Sequence, residues 1–341
     1  MRVVITGGAG FIGSNLANYW TRRYQRDQVI VFDALTYAAR RENLEDSFGR
    51  ANFEFVRGDV CDLALLKRRL GGADLVLHLA AETHNDRAIR DPLIFVRSNS
   101  LGTATLLEAC RACDVPRFHQ VSTDEVYGAL DLATPDRFSA DSAYRPNGPY
   151  SASKASADHF VRAWANTYGM KVTISNCGNN FGPFQFPEKL IPLAITRALS
   201  GLPVQLYGDG RHVRDWIFVE DHCTAIDRIA HRGEPGRTYL VSAGFELSNR
   251  EVVGRILSAL GQSLDSIEYV ADRLGHDRRY ALDPSRLRSE LEWAPKFTFD
   301  EGLAQTIDWY KNHRDWWASG GPKPIARQRS VLTQSSRRRS S

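Results

Sequence analysis

A strand-like run, Arg2 to Thr6, passes directly into Gly7-Gly8-Ala9-Gly10-Phe11-Ile12-Gly13, and a helical pattern starts at Ser14. No other stretch limits the fold so tightly. Gly8, Gly10 and Gly13 fit G-x-G-x-x-G, while Gly7, Gly10 and Gly13 fit the G-x-x-G-x-x-G variant. Missing side chains let the backbone turn sharply and approach a pyrophosphate at a helix N-terminus. A glycine-rich turn alone carries little weight, so its context decides. Residues 29–32 read as a second strand, and Asp33 ends it 20 residues beyond Gly13. A carboxylate there accepts hydrogen bonds from an adenosine ribose and repels a 2′-phosphate, which favours NAD over NADP. No arginine follows Asp33 at once; Arg40 and Arg41 come later and keep NADP as the lesser alternative.

Further strand-like runs at residues 53–56, 75–79 and 118–121 alternate with helical stretches. That alternation implies an α/β fold: a doubly wound, Rossmann-like parallel sheet with right-handed crossovers. Asp59 and Val60, after the third strand, would lie near the adenine. Leu79, Ala80 and Ala81 would end the fourth strand beneath the cofactor. Ser122, Thr123 and Asp124 would end the fifth, on the carboxyl edge where such sheets bind ligands.

With 341 residues and 43% hydrophobic content, the chain can bury one large or two modest domains. Its formal charge is +4, yet residues 318–341 alone carry six positive charges (Lys323, Arg327, Arg329 and Arg337 to Arg339) and no acidic residue. The body is therefore near −2 (4 minus 6), which argues against a nucleic-acid surface. The Gly-, Ser- and Arg-rich tail is expected to be a disordered, solvated end. Five cysteines is an odd number, and Met1-Arg2-Val3-Val4 shows no signal-peptide pattern, which places reduced thiols in the cytoplasm. Cys110 and Cys113 form a C-x-x-C on a helical pattern, where buried packing is the expected role. No apolar run reaches the ~20 residues a membrane span needs.

The chemistry is written in Ser122-Thr123-Asp124-Glu125-Val126-Tyr127 and in Tyr150-Ser-Ala-Ser-Lys154. A phenol and an ammonium four residues apart share one helix face. The lysine charge is expected to lower the tyrosine pKa, so that a phenolate can act as a base. Simple dehydrogenation does not need two adjacent carboxylates, but removal of water needs both a proton acceptor and a proton donor. Like charges side by side separate their proton affinities, giving one acid and one base. The pair therefore points to oxidation coupled to elimination; the bland alternative is a surface Asp-Glu loop.

At these residues the chain resembles the extended short-chain dehydrogenases, and among them the dTDP-glucose 4,6-dehydratases. The likeness spans about residues 1–317 and rests on several further segments. These include Leu35-Thr36-Tyr37-Ala38, His78-Leu79-Ala80-Ala81-Glu82-Thr83-His84, Arg214-Asp215-Trp216 and Gly275-His276-Asp277-Arg278-Arg279-Tyr280. The resemblance implies a homodimeric NAD-dependent lyase of deoxysugar biosynthesis, with no metal. In it, Tyr150 takes the 4-hydroxyl proton while hydride leaves C4, Lys154 holds the cofactor ribose, and Thr123 bonds near the 4-oxygen. Glu125 removes the C5 hydrogen, Asp124 protonates the departing 6-hydroxyl, and hydride returns to C6.

The resemblance also assigns NAD contacts to Gly7, Gly10, Phe11, Ile12, Gly13, Asp33, Leu35, Thr36, Asp59, Val60, Leu79, Ala80, Ala81, Thr83 and Asn99, besides Tyr150 and Lys154. It assigns the nucleotide sugar to His84, Thr123, Asn176, Lys189, Leu190, Tyr207, Arg214, Asn249 and His276. Taken alone, Arg214-Asp215 reads more readily as an ion pair flanking Trp216, and His276 as a hydrogen-bonded structural histidine. Arg87 and Arg90 open a helix near the site and receive no catalytic role. Residues 1–175 would form mainly the NAD-binding part and 176–317 mainly the substrate part, interleaved with it. Helical patterns at 104–113 and 156–167, with Phe160 and Trp164, would pair across a two-fold axis as a four-helix bundle.

Several positions depart from the family pattern: Asn85 where a small apolar residue is expected, Gly178 for Ser, Gln205 for Pro, residues 241–244, and Leu274 for Pro. They surround the presumed sugar and base pockets, so the base and the sugar configuration stay open. The rival readings are a nucleotide-sugar 4-epimerase, a dehydratase for another nucleotide sugar, and an NAD-binding scaffold without turnover.

Overall fold

The computed structural model describes residues 1–318; of the expected basic tail, everything after Ala318 lies outside the described residues. Twelve strands appear in chain order. The first six are β1 (Arg2–Thr6), β2 (Gln28–Asp33), β3 (Phe53–Arg57), β4 (Leu75–His78), β5 (Arg117–Thr123) and β6 (Val172–Cys177). They are followed by β7 (Asn179–Phe181), β8 (Val204–Tyr207), β9 (Val213–Phe218), β10 (Thr238–Val241), β11 (Phe245–Ser248) and β12 (Ile267–Val270). Seven of them make one sheet in the order β10-β6-β5-β4-β1-β2-β3. Every pairing in it is parallel.

These strands are apolar on both faces because helices cover both faces. On β1, Val3 and Ile5 join an apolar cluster with Leu16, Trp20 and Val29. Val4 points the other way, into a cluster with Ile30, Val76 and Phe118. Its register neighbours are Ile30 on β2 and Val76 on β4. Each such side chain contributes roughly 1.5–3 kcal/mol when fully buried.

The sheet is wound outward in both directions from β1 and β4, so a crevice opens beyond their carboxyl ends, where ligands of such sheets sit. The second half of the chain supplies β10 to this sheet's edge, while β11-β9-β7 and β12-β8 form two smaller sheets. Strands of the main sheet thus come from both sides of position 175, with β6 straddling it.

Three boundaries differ from the sequence reading. The first helix runs over Phe11–Arg23 rather than from Ser14. Gly10 is its extended N-cap, and Ser14 merely supplies the first i→i−4 bond, to Gly10 O at 2.9 Å. The fourth strand stops at His78: the Leu79 N–H is shared between Thr6 O at 3.1 Å and the Thr6 hydroxyl at 3.3 Å, and the Ala80 N–H goes to that hydroxyl at 3.3 Å. The fifth ends at Thr123, whose Oγ1 accepts the Glu125 N–H at 3.3 Å and folds residues 124–127 into a 3₁₀ turn. The lysine and tyrosine fall on one helix, Pro149–Tyr168. Cys110 is buried and Cys113 partly so, and all five cysteines are free thiols.

Candidate active site

A cleft of about 710 Å³ opens at the carboxyl ends of β1, β2, β4 and β5. Its lining includes Gly7, Gly10, Phe11, Ile12, Gly13, Asp33, Thr36, Asp59, Val60, Leu79, Ala80, Ala81 and Thr83. Thr123, Asp124, Glu125, Tyr150 and Lys154 line the same space, as do His84, Lys189, Leu190, Tyr207, Arg214, Asn249 and His276. Residues that follow β1 and residues that follow β12 therefore share one cavity.

The glycine turn fits a dinucleotide pyrophosphate by shape. Gly7 adopts φ +67°, and a Cβ on it would sit 2.6 Å from Ala80 N; a Cβ on Gly13 would sit 2.1 Å from Gly7 O. The helix therefore packs onto the strand as only glycine permits, and the N–H groups of its first turn are left without intrahelical acceptors. Asp33 takes the Ala9 N–H at 2.9 Å on one oxygen and the Leu35 N–H at 2.7 Å on the other. Its carboxyl is thereby held at the cleft wall, with lone pairs left for ribose hydroxyls.

Three residues named from the sequence do not line the cleft. Leu35, at φ +55°, contributes its N–H to Asp33 while its half-buried side chain packs against the core. Asn99 is buried behind the site, bonding both backbone groups of Glu82 (2.8 and 3.0 Å) and Ser153 Oγ (2.8 Å). It joins the loop after β4 to the Tyr150 helix. Asn176 has all its capacity used: its amide donates to Thr123 O (3.1 Å) and Asp158 (3.3 Å), and its oxygen accepts from Tyr127 (3.3 Å) and Tyr144 (3.4 Å). Asn179, on β7, lines the cleft instead. The run Asn176-Cys177-Gly178-Asn179-Asn180 offers three asparagines; Asn180 lines the cavity beside Asn179, and the sequence alone does not say which of the three do so.

The two adjacent carboxyls sit in different surroundings. Asp124 is buried with Oδ2 unpartnered, and burial, then the Glu125 and Asp215 charges, raise its pKa well above the carboxylate range. Glu125 is half-buried, and its Oε2 accepts the Asn85 amide at 3.2 Å.

The phenol behaves differently from expectation. Burial, then the Glu125 charge, hold the Tyr150 pKa well above its ordinary value, with hydrogen bonding to Thr123 opposing them. Lys154 does not hold it low; the ammonium donates to Val121 O at 2.8 Å, deep in the sheet. Burial lowers the Lys154 pKa, and Asp158, one turn further along the helix, raises it.

Around the rest of the cleft, cations and aromatics dominate. The Arg214 guanidinium lies 4.4 Å from the Tyr280 ring centre and donates to Val213 O (2.8 Å) and Asp277 O (2.9 Å). It forms no ion pair with Asp215, which bonds Ser242 instead, because neighbours on β9 point to opposite faces. Tyr207 donates to Asp86 at 2.7 Å and Lys189 to Thr83 O at 2.7 Å, tying the two halves of the chain across the cleft. Tyr37 bonds Glu188 at 2.8 Å, and Arg87 lies 3.5 Å from the Tyr37 ring centre. Burial pushes His84 and His276 down to about 3, so both are neutral. His212, Asp272 and His276 bring ligand-type atoms within 4.8 Å of one another. The two rings stack at 3.7 Å with 18° between planes, so one ion cannot lie in the plane of both.

The sequence reading missed Asn179, Glu188, Arg273 and Tyr280, all of which line the cleft. Glu188 lies beside the Lys189-Leu190 pair and Tyr280 closes the quoted Gly275–Tyr280 segment. The signal was present there but unranked.

A family model described as GDP-mannose 4,6 dehydratase matches residues 4–306. The chain is 50% identical over 318 residues to a dTDP-glucose 4,6-dehydratase of Mycolicibacterium smegmatis, covering 93% of this chain and 95% of that one. It is 47% identical over 317 residues to one from Streptomyces griseus, covering 92% and 95%. A dTDP-glucose 4,6-dehydratase from Streptomyces venezuelae, solved with NAD and dTDP bound, superposes with a TM-score of 0.91 at 44% identity, covering 94% of this chain and 99% of that one. A UDP-glucose 4-epimerase from Thermus thermophilus in complex with NAD superposes at 0.84 and 31% identity, covering 92% and 100%.

Proposed function

The chain belongs to the GDP-mannose 4,6 dehydratase family and, within it, to the dTDP-glucose 4,6-dehydratases, and on that premise we propose that it converts dTDP-glucose into dTDP-4-keto-6-deoxyglucose and water. The observation that carries the reaction type is the buried Asp124, its proton affinity raised by burial, beside Glu125 in the cavity that also holds Tyr150. An epimerase has no water to expel and needs no such acid.

NAD would be held by the glycine turn, by Asp33 at the adenosine ribose and by Lys154 beside the nicotinamide ribose. When bound, it would supply reversible hydride storage and a fixed positive charge. Tyr150 accepts the 4-hydroxyl proton, and Thr123 positions the 4-oxygen. Glu125 takes the C5 proton, made acidic by the C4 ketone. Asp124 gives its proton to the leaving 6-hydroxyl. Arg214 and Lys189 face the diphosphate, with Tyr207, Asn249, Asn179 and His276 completing the nucleotide end.

We assign the oligomer to a homodimer built on the helices of residues 92–112 and 149–168. Leu93 (74% exposed), Val96, Leu101 and Tyr168 leave an apolar face there. Leu101→Lys should shift the protein to a monomer in light scattering; an unchanged dimer would move the interface elsewhere. Among the described residues no helix is long and apolar enough to cross a membrane. The five free thiols fit a reducing compartment, and we place the enzyme in the cytoplasm.

The test is incubation of purified protein with dTDP-, UDP-, GDP- and CDP-glucose, read by mass spectrometry. Loss of one water from dTDP-glucose, without added cofactor, is the expected result. A converted sugar of unchanged mass would replace this reading with epimerisation.

A further inference from the structure

Asn85 is the first residue of the short helix Asn85–Arg90, which His84 caps by accepting the Asp86 N–H at 3.3 Å. The helix is braced from its far side, where Asp86 accepts the Tyr207 hydroxyl at 2.7 Å and Arg87 packs on Tyr37 at 3.5 Å. From this braced element the Asn85 amide reaches 40 positions along the chain to donate to Glu125 Oε2 at 3.2 Å. Glu125 is anchored from below as well, through its own N–H on Thr123 Oγ1. Among the described residues, Oε1 accepts no hydrogen bond. The resemblance leads one to expect a small apolar side chain at 85, which could make no such contact.

We propose that Asn85 is a positioning residue for Glu125: it occupies Oε2 and leaves Oε1 as the oxygen that meets the C5 hydrogen. The assignment rests on the dehydratase reading and extends it to a residue that the shared motifs leave without a role. A glutamate side chain on a 3₁₀ turn has several rotamers open to it, and only those that bring an oxygen to C5 are productive. A donor on a fixed helix start removes the unproductive ones before substrate arrives. In the step concerned, the C5–H bond breaks and its proton goes to Oε1. The electron pair moves toward the C4 carbonyl and then drives out the 6-hydroxyl, which leaves as water with the Asp124 proton. Oxidation at C4 precedes this and uses Tyr150 and Thr123, so the amide should matter to elimination alone.

The test compares wild type with Asn85→Val, which removes the donor, and Asn85→Asp, which keeps the shape and removes the donor. Single-turnover absorbance reads formation of reduced cofactor, and mass spectrometry in heavy water reads deuterium entry at C5. The expected result is that both variants oxidise C4 at close to the wild-type rate while C5 exchange falls about 10- to 100-fold, the range for a lost hydrogen bond to a charged group. Reduced cofactor should then accumulate transiently. Normal C5 exchange in either variant, or oxidation slowed by the same factor as exchange, would overturn the assignment. Rescue of exchange by Asn85→Gln, which restores a donor, would support it further. A wild-type protein that returns every sugar unchanged removes the functional premise itself, and that outcome is distinct from normal exchange in the variants.

Discussion

Replacing Asp124 by Asn should make the protein more stable and almost inactive. The wild-type carboxyl is 2% exposed, has one oxygen without a partner, and faces the charges of Glu125 and Asp215. Its folded pKa lies above its unfolded value, so the native state binds the proton more tightly than the unfolded chain does. Stability is therefore highest at low pH and falls as pH rises from about 3.8 until the folded value is passed, by about 1.4 kcal/mol per pH unit in that window. Asparagine has no proton to lose and is free of this loss. Each unit of that window amounts to about 1.4 kcal/mol, or roughly 2 °C in Tm for a chain of this size. Thermal denaturation followed by circular dichroism should show the smallest Tm difference near pH 4 and a variant further above wild type as pH rises. Dehydration should fall by about 10²–10⁴-fold with the loss of the acid, while C4 oxidation stays measurable. A Tm difference that does not widen with pH, or a variant that dehydrates normally, would refute the buried-acid reasoning.

Tyr150→Phe should suppress the first hydride transfer by about 10²–10⁴-fold. Single-turnover absorbance should then show no reduced cofactor, and a normal burst would remove Tyr150 from the oxidation step. Gly13→Ala should lose bound NAD, because the new Cβ would meet Gly7 O at 2.1 Å; a purified variant with the wild-type NAD content would contradict the cradle. Away from the cleft, Asp227 gathers the hydroxyls of Tyr19 (2.6 Å) and Tyr24 (2.8 Å) and the His231 ring (2.8 Å). Hydrogen bonding to Asp227 raises the His231 pKa, so its stabilisation is fully present below the unfolded value near 6.5 and disappears as pH rises through the folded one. His231→Ala should accordingly lower Tm more at pH 5.5 than at pH 8.5, and an equal drop at both would show that the imidazole charge is not involved.

What could be read along the chain was whatever depends on near neighbours. Gly7 to Gly13, the strand that precedes them and Asp33 form one βαβ unit whose geometry is local. Tyr150 and Lys154 needed only helical spacing, and Asp124-Glu125 only adjacency. The errors fall where a side chain's direction depends on elements far off in sequence. Asn176 and Asn179 are three residues apart, and the packing of β6 against Asp158 and Tyr144 makes the first a scaffold and leaves the second at the cavity. Arg214 and Asp215 are adjacent, yet the pleat of β9 sends them to opposite sides.

By itself, the order of residues determined the doubly wound sheet, the dinucleotide turn and the inventory of acid, base and phenol, because hydrophobic period, glycine content and short spacings are properties of contiguous segments. Tertiary structure alone decided the protonation of these groups and what each one touches. The proton affinity of Asp124 is raised because the folded chain strips water from it and sets the Glu125 and Asp215 charges nearby. The Tyr150 phenol is raised because the fold buries it and sets the Glu125 charge nearby, while Lys154 is drawn to the carbonyl of Val121. Asn85 meets Glu125 because two loops leave neighbouring strands of one sheet edge. Solvation and charge act through space, and distance along the chain does not measure them.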